Sequence, residues 1–330
     1  MAITSSFPQT AVSDDTASAS GGGRFSSGDP AGPATPLDRS ESDSGCRALR
    51  EQAGREGVVC TDNLPFLLGP ADAEAGVLMV HGFAASPWEM RLIGEYLAGR
   101  GLSVLAVRLP GHGSSTEDLA RRRWEEWLTA VETGYRLLAD QHAQVYGIGM
   151  STGCLLLLRH ALDRDYQGLA LCAPYLRIRH RLATFAGWLR WVLPFHGKEL
   201  ADGGSPHYYS RRPVAGVYQI NRLIKSLRPR LAACRAPVLA FNSEGDRTVI
   251  SASGRQLLAS LGSTTRIHLV YGDEVPHILV REQNPHHRAL FRLIENFIAE
   301  LTALTAGRRT DGDRVRRPPD GSVPSSRSCR

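Results

Sequence analysis

Residues 146–154 read YGIGMSTGC, and within them Gly149-Met150-Ser151-Thr152-Gly153 spells G-x-S-x-G. Glycine is 33 of the 330 residues. Chance therefore supplies this pattern in roughly one such chain in four, and the pattern alone decides little. Its flanks decide more. QVYGIGM (144–150) has the apolar content of a buried strand, and TGCLLLLRHAL (152–162) that of a helix. Ser151 thus falls at a strand-to-helix turn, next to the positively polarised helix start. Gly149 and Gly153 leave room where strand and helix crowd each other. A glycine turn with a capping serine is the plainer alternative, which this context disfavours.

Outward from Ser151, short apolar runs alternate with amphipathic stretches. VLMV (77–80), SVLAVRL (103–109), GLALCAP (168–174), APVLAFN (236–242) and TRIHLVY (265–271) read as strands. WEMRLIGEYLAGR (88–100), WEEWLTAVETGYRLLADQ (124–141), SGRQLLASL (253–261) and NPHHRALFRLIENFIAEL (284–301) have helical spacing. Strands separated by helices of this length pair in parallel through right-handed crossovers and are covered on both faces. The expected fold is α/β: a mostly parallel sheet with helices on both sides and residues 174–236 inserted over the catalytic edge. In such sheets chemistry sits in the loops after the carboxyl ends of strands.

A serine hydroxyl needs a base to act as a nucleophile at neutral pH. His277, in YGDEVPHILV, follows the last strand, where a loop can return it over the sheet. His268 lies within the strand, and His286 and His287 open the final helix; these places suit packing or capping better. An acid must then fix the imidazole tautomer. Asp246 in NSEGDRTV is the candidate, with Glu244 and Asp273 as rivals. The order Ser, Asp, His is the one this fold uses. For the oxyanion, the expected donors are the backbone N–H groups of Phe83, in His81-Gly82-Phe83, and of Met150.

HGFAASPWEMRLIGEYLAGRGLSVLAVRLPGHG (81–113), YGIGMSTGC, NSEGDRTV and VPHILV together resemble the α/β-hydrolase superfamily, and more narrowly its bacterial carboxylesterase and monoacylglycerol lipase group. The resemblance spans roughly residues 62–302. It implies nucleophile Ser151, acid Asp246, base His277, oxyanion amides of Phe83 and Met150, and a cofactor-free ester hydrolase with no metal. Within the same fold it leaves room for a thioesterase or an acyltransferase. A non-catalytic binding protein that keeps the fold is the rival from another class.

Residues 1–45 and 307–330 are rich in small and polar residues and read as disordered tails around a domain of residues 46–306. The net charge of +6 is local. Residues 174–236 carry ten Arg and two Lys against Glu199 and Asp202, net +10. That concentration argues against a nucleic-acid role for the whole chain. In the same segment, HRLATFAGWLRWVLPF (180–195) has the spacing of an amphipathic lid helix, with Leu182, Phe185, Ala186, Leu189, Val192 and Leu193 on one face and Trp191 roughly opposite. Phe185, Trp188 and Trp191 are candidate substrate-binding residues. The basic, aromatic segment either packs as a lid or makes weak contact with an anionic membrane surface. The six cysteines show no ligand-like spacing, no secretory leader or run of about 18 apolar residues is present, and a cytoplasmic location is expected.

Overall fold

The computed structural model describes residues 36–197 and 206–316. The first half of the fold contains α1 (Ser44–Arg55), β1 (Phe66–Leu68), β2 (Ala75–Val80), α2 (Arg91–Ala98), β3 (Ser103–Val107), α3 (Thr116–Arg121), α4 (Trp124–Ala139), β4 (Gln144–Met150), α5 (Thr152–His160) and β5 (Gly168–Cys172). The insertion follows, with α6 (Ala186–Leu189), β6 (Phe195–Gly197), β7 (Arg211–Pro213) and α7 (Val214–Leu227). The chain then re-enters the sheet through β8 (Val238–Ser243), α8 (Ser251–Ala259), β9 (Arg266–Tyr271) and α9 (His287–Arg316).

Seven strands form one sheet in the order β1-β3-β2-β4-β5-β8-β9. Only β1 runs antiparallel, pairing Phe66 with Ala106; the remaining ladders are parallel. The period-2 geometry of a strand divides each apolar run between two faces. Leu78, Val80, Leu105 and Val107 point to one side, against Trp127, Val131 and the leucines of α5. Val77, Met79, Val104 and Ala106 point to the other, against Ile93, Leu97, Ile294 and Phe297 of α2 and α9. Both faces are dry, which is why these strands read as unbroken apolar runs. Each large side chain so buried contributes about 1.5–3 kcal/mol.

The N-terminal boundary differs from expectation. Residues 36–45 belong to the fold, not to a tail. Arg39 N–H donates to Leu67 O (2.8 Å), Ser40 Oγ accepts from Leu67 N (3.0 Å), and Asp38 bridges to Leu68. Arg39 also reaches Gln141 Oε1 at 2.9 Å, and Asp43 caps α1 by accepting the Cys46 N–H. The segment is held by backbone pairing and hydrogen bonds, which a composition scan for apolar residues does not register. At the other end α9 continues to Arg316, past the boundary expected at residue 306. The rest of both expected tails lies outside the described residues.

The insertion also departs from expectation. Residues 180–195 do not form one lid helix: a 3-10 turn (Arg181–Phe185) gives way to the single turn of α6 and then to irregular chain before Pro194. Gly187, the poorest helix former after proline, sits mid-segment. Ala183 and Ala186 are buried, whereas Phe185, Trp188 and Trp191 are 62%, 69% and 77% exposed. The packing is carried instead by α7, which buries Ile220, Leu223, Ile224 and Leu227 in the core shared with α4 and α5.

Candidate active site

Ser151 stands between β4 and α5 with φ 54° and ψ −111°, a left-handed conformation that a serine adopts only when its surroundings impose it. They do so through the glycines. A Cβ on Gly153 would lie 2.1 Å from Val80 O, and one on Gly149 2.7 Å from Cys154 N. The turn closes with Ser151 N–H donating to Cys172 O at 2.8 Å. Cys154 is packing: its Sγ is buried and donates toward Gly149 O and Cys172 O.

His277 lies in the loop after β9, and its Nε2 is 2.9 Å from Ser151 Oγ. Its Nδ1 is 2.5 Å from Oδ2 of Asp246, on the loop after β8. The other carboxylate oxygen of Asp246 accepts the N–H groups of Thr248 (2.7 Å) and Val249 (2.9 Å). Burial would raise the Asp246 pKa, but the hydrogen bond from His277, the imidazole's charge and these two amides together hold it below the usual carboxylate range. The acid-bearing and base-bearing loops are interlocked. A Cβ on Gly245 would meet Asp273 O at 2.1 Å, and Ser243 Oγ accepts the Gly245 N–H while facing the carbonyls of Gly272 and Val275.

The rival residues are placed elsewhere. Glu244 and Asp273 are exposed. His268 Nε2 bonds Asn242 Oδ1 (3.0 Å), His286 faces Glu274 (3.6 Å), and His287 Nδ1 bonds Asn284 O (2.8 Å).

The expectation for the oxyanion donors is corrected at one position. Met150 is fully buried as the last residue of β4, opposite Cys172, and it does not line the cavity above Ser151. Thr152 does line it, as the first residue of α5, where helix N–H groups have no partner within the helix. Phe83 lines the cavity as well.

Two side chains not foreseen from sequence hold the Phe83 loop. Glu89, 3% exposed, accepts the Gly82 N–H at 2.6 Å through Oε2. His81 donates from Nδ1 to Gly82 O (2.8 Å) and accepts the Leu109 N–H at Nε2 (3.2 Å). Burial pushes its pKa down to about 4, which keeps the imidazole neutral and able to play both parts. The sequence signal for Glu89 is faint: one carboxylate in a helix-opening SPWEM.

The cavity has a volume of about 70 Å³ and joins Ser151 and His277 to Tyr175, Tyr208, Arg212 and Ile220. Phe185, Trp188 and Trp191 do not line it; they stand on the outer surface. For metals, one group among the described residues brings three donors together: Cys60, Asp62 and His207, within 4.8 Å of one another. His207 is already bonded to Asn63 Oδ1 (3.0 Å) and stacked on Trp88, and Asp62 is exposed. No described helix is long and apolar enough to cross a membrane.

Comparison with known proteins agrees with this architecture. A thermostable monoacylglycerol lipase of Bacillus sp. (strain H-257) is 29% identical over 229 residues, 68% of this chain and 87% of that protein. A carboxylesterase of Bacillus subtilis (strain 168) is 22% identical over 233 residues, 67% of this chain and 93% of that protein. Among solved structures, one from work on the two metagenome-derived lipolytic enzymes LipS and LipT superposes with a TM-score of 0.67 at 21% identity, over 73% of this chain and 99% of its own. At that identity the superposition shows the fold. Residues 77–318 match the family described as "Alpha/beta hydrolase family", and the chain belongs to it.

Proposed function

We propose that this protein hydrolyses carboxylic esters through an acyl-enzyme. The observation that carries the reading is the unbroken hydrogen-bonded line from Ser151 Oγ through His277 to Asp246, with the serine held at a strained turn. Ser151 Oγ attacks the ester carbonyl carbon and its proton passes to His277 Nε2. The carbonyl electrons move to oxygen, where the amides of Phe83 and Thr152 receive the charge. Collapse of this intermediate breaks the bond to the alcohol, which departs with the proton from Nε2. Water then repeats the sequence on acyl-Ser151, releasing the acid. Asp246 keeps the Nδ1 tautomer and stabilises the imidazolium throughout.

The substrate class we propose is short- to medium-chain acyl esters or monoacylglycerols; the names of the relatives, a monoacylglycerol lipase and a carboxylesterase, support monoacylglycerols and carboxylic esters without bearing on chain length. The narrow cavity favours the short end of that range. We also propose weak contact of the cap with anionic lipid surfaces, supported by exposed Phe185, Trp188 and Trp191 beside Arg190. Unpaired Cys46, Cys60, Cys154, Cys172 and Cys234 fit a reducing, cytoplasmic setting.

The test is labelling with a fluorophosphonate beside turnover of a graded p-nitrophenyl ester series, an acyl-CoA and a monoacylglycerol. The expected result is labelling at Ser151, ester turnover, and loss of both in Ser151→Ala. A wild type that neither labels nor turns over any ester overturns the reading in favour of a binding protein. Preference for the acyl-CoA redirects it to a thioesterase or acyltransferase.

A further inference from the structure

Between α1 and β1 the chain makes a 3-10 turn, Thr61–Asn63, and this turn meets the insertion just before β7. Donor atoms of Cys60, Asp62 and His207 lie there within 4.8 Å of one another. Cys60 and His207 are half-buried and Asp62 is exposed. A thiolate, a carboxylate and an imidazole are the donors that zinc takes in proteins. A spacing of this size closes onto bonds of about 2.0–2.3 Å through small side-chain rotations. In the sequence only Cys60-Thr61-Asp62 is local; the imidazole comes from far along the chain, so no ligand-like spacing shows.

The imidazole is oriented as a metal ligand is. Asn63, 2% exposed, uses both ends of its amide. Its Nδ2 donates to Pro206 O (3.1 Å), and its Oδ1 accepts the Ser86 hydroxyl (2.6 Å) and the Nδ1–H of His207 (3.0 Å). A neutral imidazole that donates from Nδ1 carries its lone pair on Nε2, the nitrogen that faces Asp62 Oδ2 at 3.8 Å. Trp88 fixes the ring plane by stacking on it, with centroids 4.1 Å apart. Ligating histidines are held in this way, with the second nitrogen on a carbonyl or carboxylate oxygen that sets tautomer and direction. A hydrogen bond between His207 and Asp62 alone does not explain the arrangement, since 3.8 Å is too long for one and Cys60 has no part in it.

We propose that Cys60 Sγ, the Asp62 carboxylate and His207 Nε2 bind one zinc ion, with water in the fourth position, and that the ion pins the insertion to the turn at residues 60–63. A thiolate and an imidazole select zinc over magnesium or calcium, and the exposed side of Asp62 leaves room for the water. Binding sends the Cys60 thiol proton to solvent, while the carboxylate and the neutral imidazole bind as they stand. The site is structural, since none of its ligands lines the cavity above Ser151. Its neighbours do meet the catalytic parts: Tyr208 lines that cavity, and Tyr209 N–H donates to Ala84 O (3.0 Å) beside the oxyanion loop. The segment that the ion fixes is thus a wall of the active site.

The experiment titrates the full chain with cobalt(II) and then with zinc. Cys329→Ser is the background, which leaves Cys60 with the buried thiols of Cys46, Cys154, Cys172 and Cys234. The expected result is one cobalt per chain with thiolate-to-cobalt charge-transfer absorption, displaced by zinc with a Kd of about 1 µM or tighter. Zinc at a hundredfold excess over Kd should raise the melting temperature by about 5 °C or more. Cys60→Ser should abolish the charge-transfer band, and both Cys60→Ser and Asp62→Ala should weaken zinc binding by about tenfold or more. Fluorophosphonate labelling at Ser151 reports that each variant is folded. Alkylation of Cys60 by iodoacetamide, read by mass spectrometry, needs no substitution at the site and should slow about tenfold or more when zinc is added. Absence of saturable binding below about 100 µM metal overturns the proposal. So does binding that survives Cys60→Ser and Asp62→Ala unchanged, which would place the metal elsewhere, and so does an alkylation rate indifferent to zinc.

Discussion

Asp246 accepts His277 Nδ1–H at 2.5 Å with one carboxylate oxygen and holds two backbone amides with the other, so it is fixed from both sides before it orients the imidazole. Asp246→Asn keeps the shape but offers an amide where Nδ1 needs an acceptor. The expected outcome is a fall in kcat on the order of 10³–10⁴. Steady-state kinetics on a p-nitrophenyl ester reads it; a change under tenfold would show that the acid does not govern the tautomer.

Ser151 stores strain and Gly153 makes that strain possible. Ser151→Gly relieves the positive φ and should raise stability by about 1 kcal/mol while abolishing turnover. Gly153→Ala drives a Cβ to 2.1 Å from Val80 O and should destabilise by about 4 kcal/mol or more. Thermal unfolding of both variants checks the pair, and equal melting temperatures would contradict the strain argument.

Glu89 holds the oxyanion loop through the Gly82 N–H and is the loop's buried anchor. Losing an oxyanion donor outright costs on the order of 10²–10³ in rate, and loosening the loop that holds one costs less. Glu89→Ala should lower kcat by roughly tenfold to a hundredfold, with a smaller effect on the rate of Ser151 phosphonylation. An unchanged kcat would mean that the loop holds its shape without the carboxylate.

Acid sensitivity follows from two histidines that never meet water. Burial lowers the pKa of His81 to about 4 and that of His112 well below its ordinary value. The unfolded chain, with imidazoles near pKa 6.5, binds more protons than the native one below that value. Stability is therefore full above about pH 6.5 and falls as pH drops toward 4, with His81 alone accounting for about 3 kcal/mol of the loss. Asp246, whose native pKa is depressed, adds its loss only at lower pH still. Urea unfolding at pH 7.5 and 5.0 should show a clearly lower midpoint at the acid value, less so in His112→Phe. A flat midpoint would refute this.

The exposed aromatics of the insertion give a membrane prediction. Wild type should bind vesicles rich in phosphatidylserine at low ionic strength and release them as salt is raised. Replacing both Trp188 and Trp191 by Ala should weaken binding by about tenfold without changing turnover of a water-dissolved ester. Sedimentation with vesicles decides it, and no binding even at low salt removes the lipid-surface reading.

The legible parts of this protein were those written in periodicity and loop chemistry. The strands around Ser151 buried both faces, so their apolar runs stood out, and the glycines of the turn could be read from crowding alone. The burial of Met150 was not legible because sequence shows the neighbours of the serine but not which of them lines the cavity. Phe185, Trp188 and Trp191 misled because aromatic content says nothing of which way a broken helix faces. Arg39, Ser40 and Glu89 were silent for a shared reason: each acts through individual hydrogen bonds to groups outside its own element, which no local pattern encodes.

The clasp between the two loops has a bearing on how this protein can vary. Because Gly245 rests on Asp273 O and Ser243 on the Gly272–Val275 turn, the acid and the base travel as one piece. A single insertion in either loop would displace both partners of the imidazole, whereas matched changes in the two could pass unnoticed. Descendants of this sequence should therefore alter residues 243–246 and 272–277 together or not at all, and libraries that shuffle the two segments independently should be poor in active members.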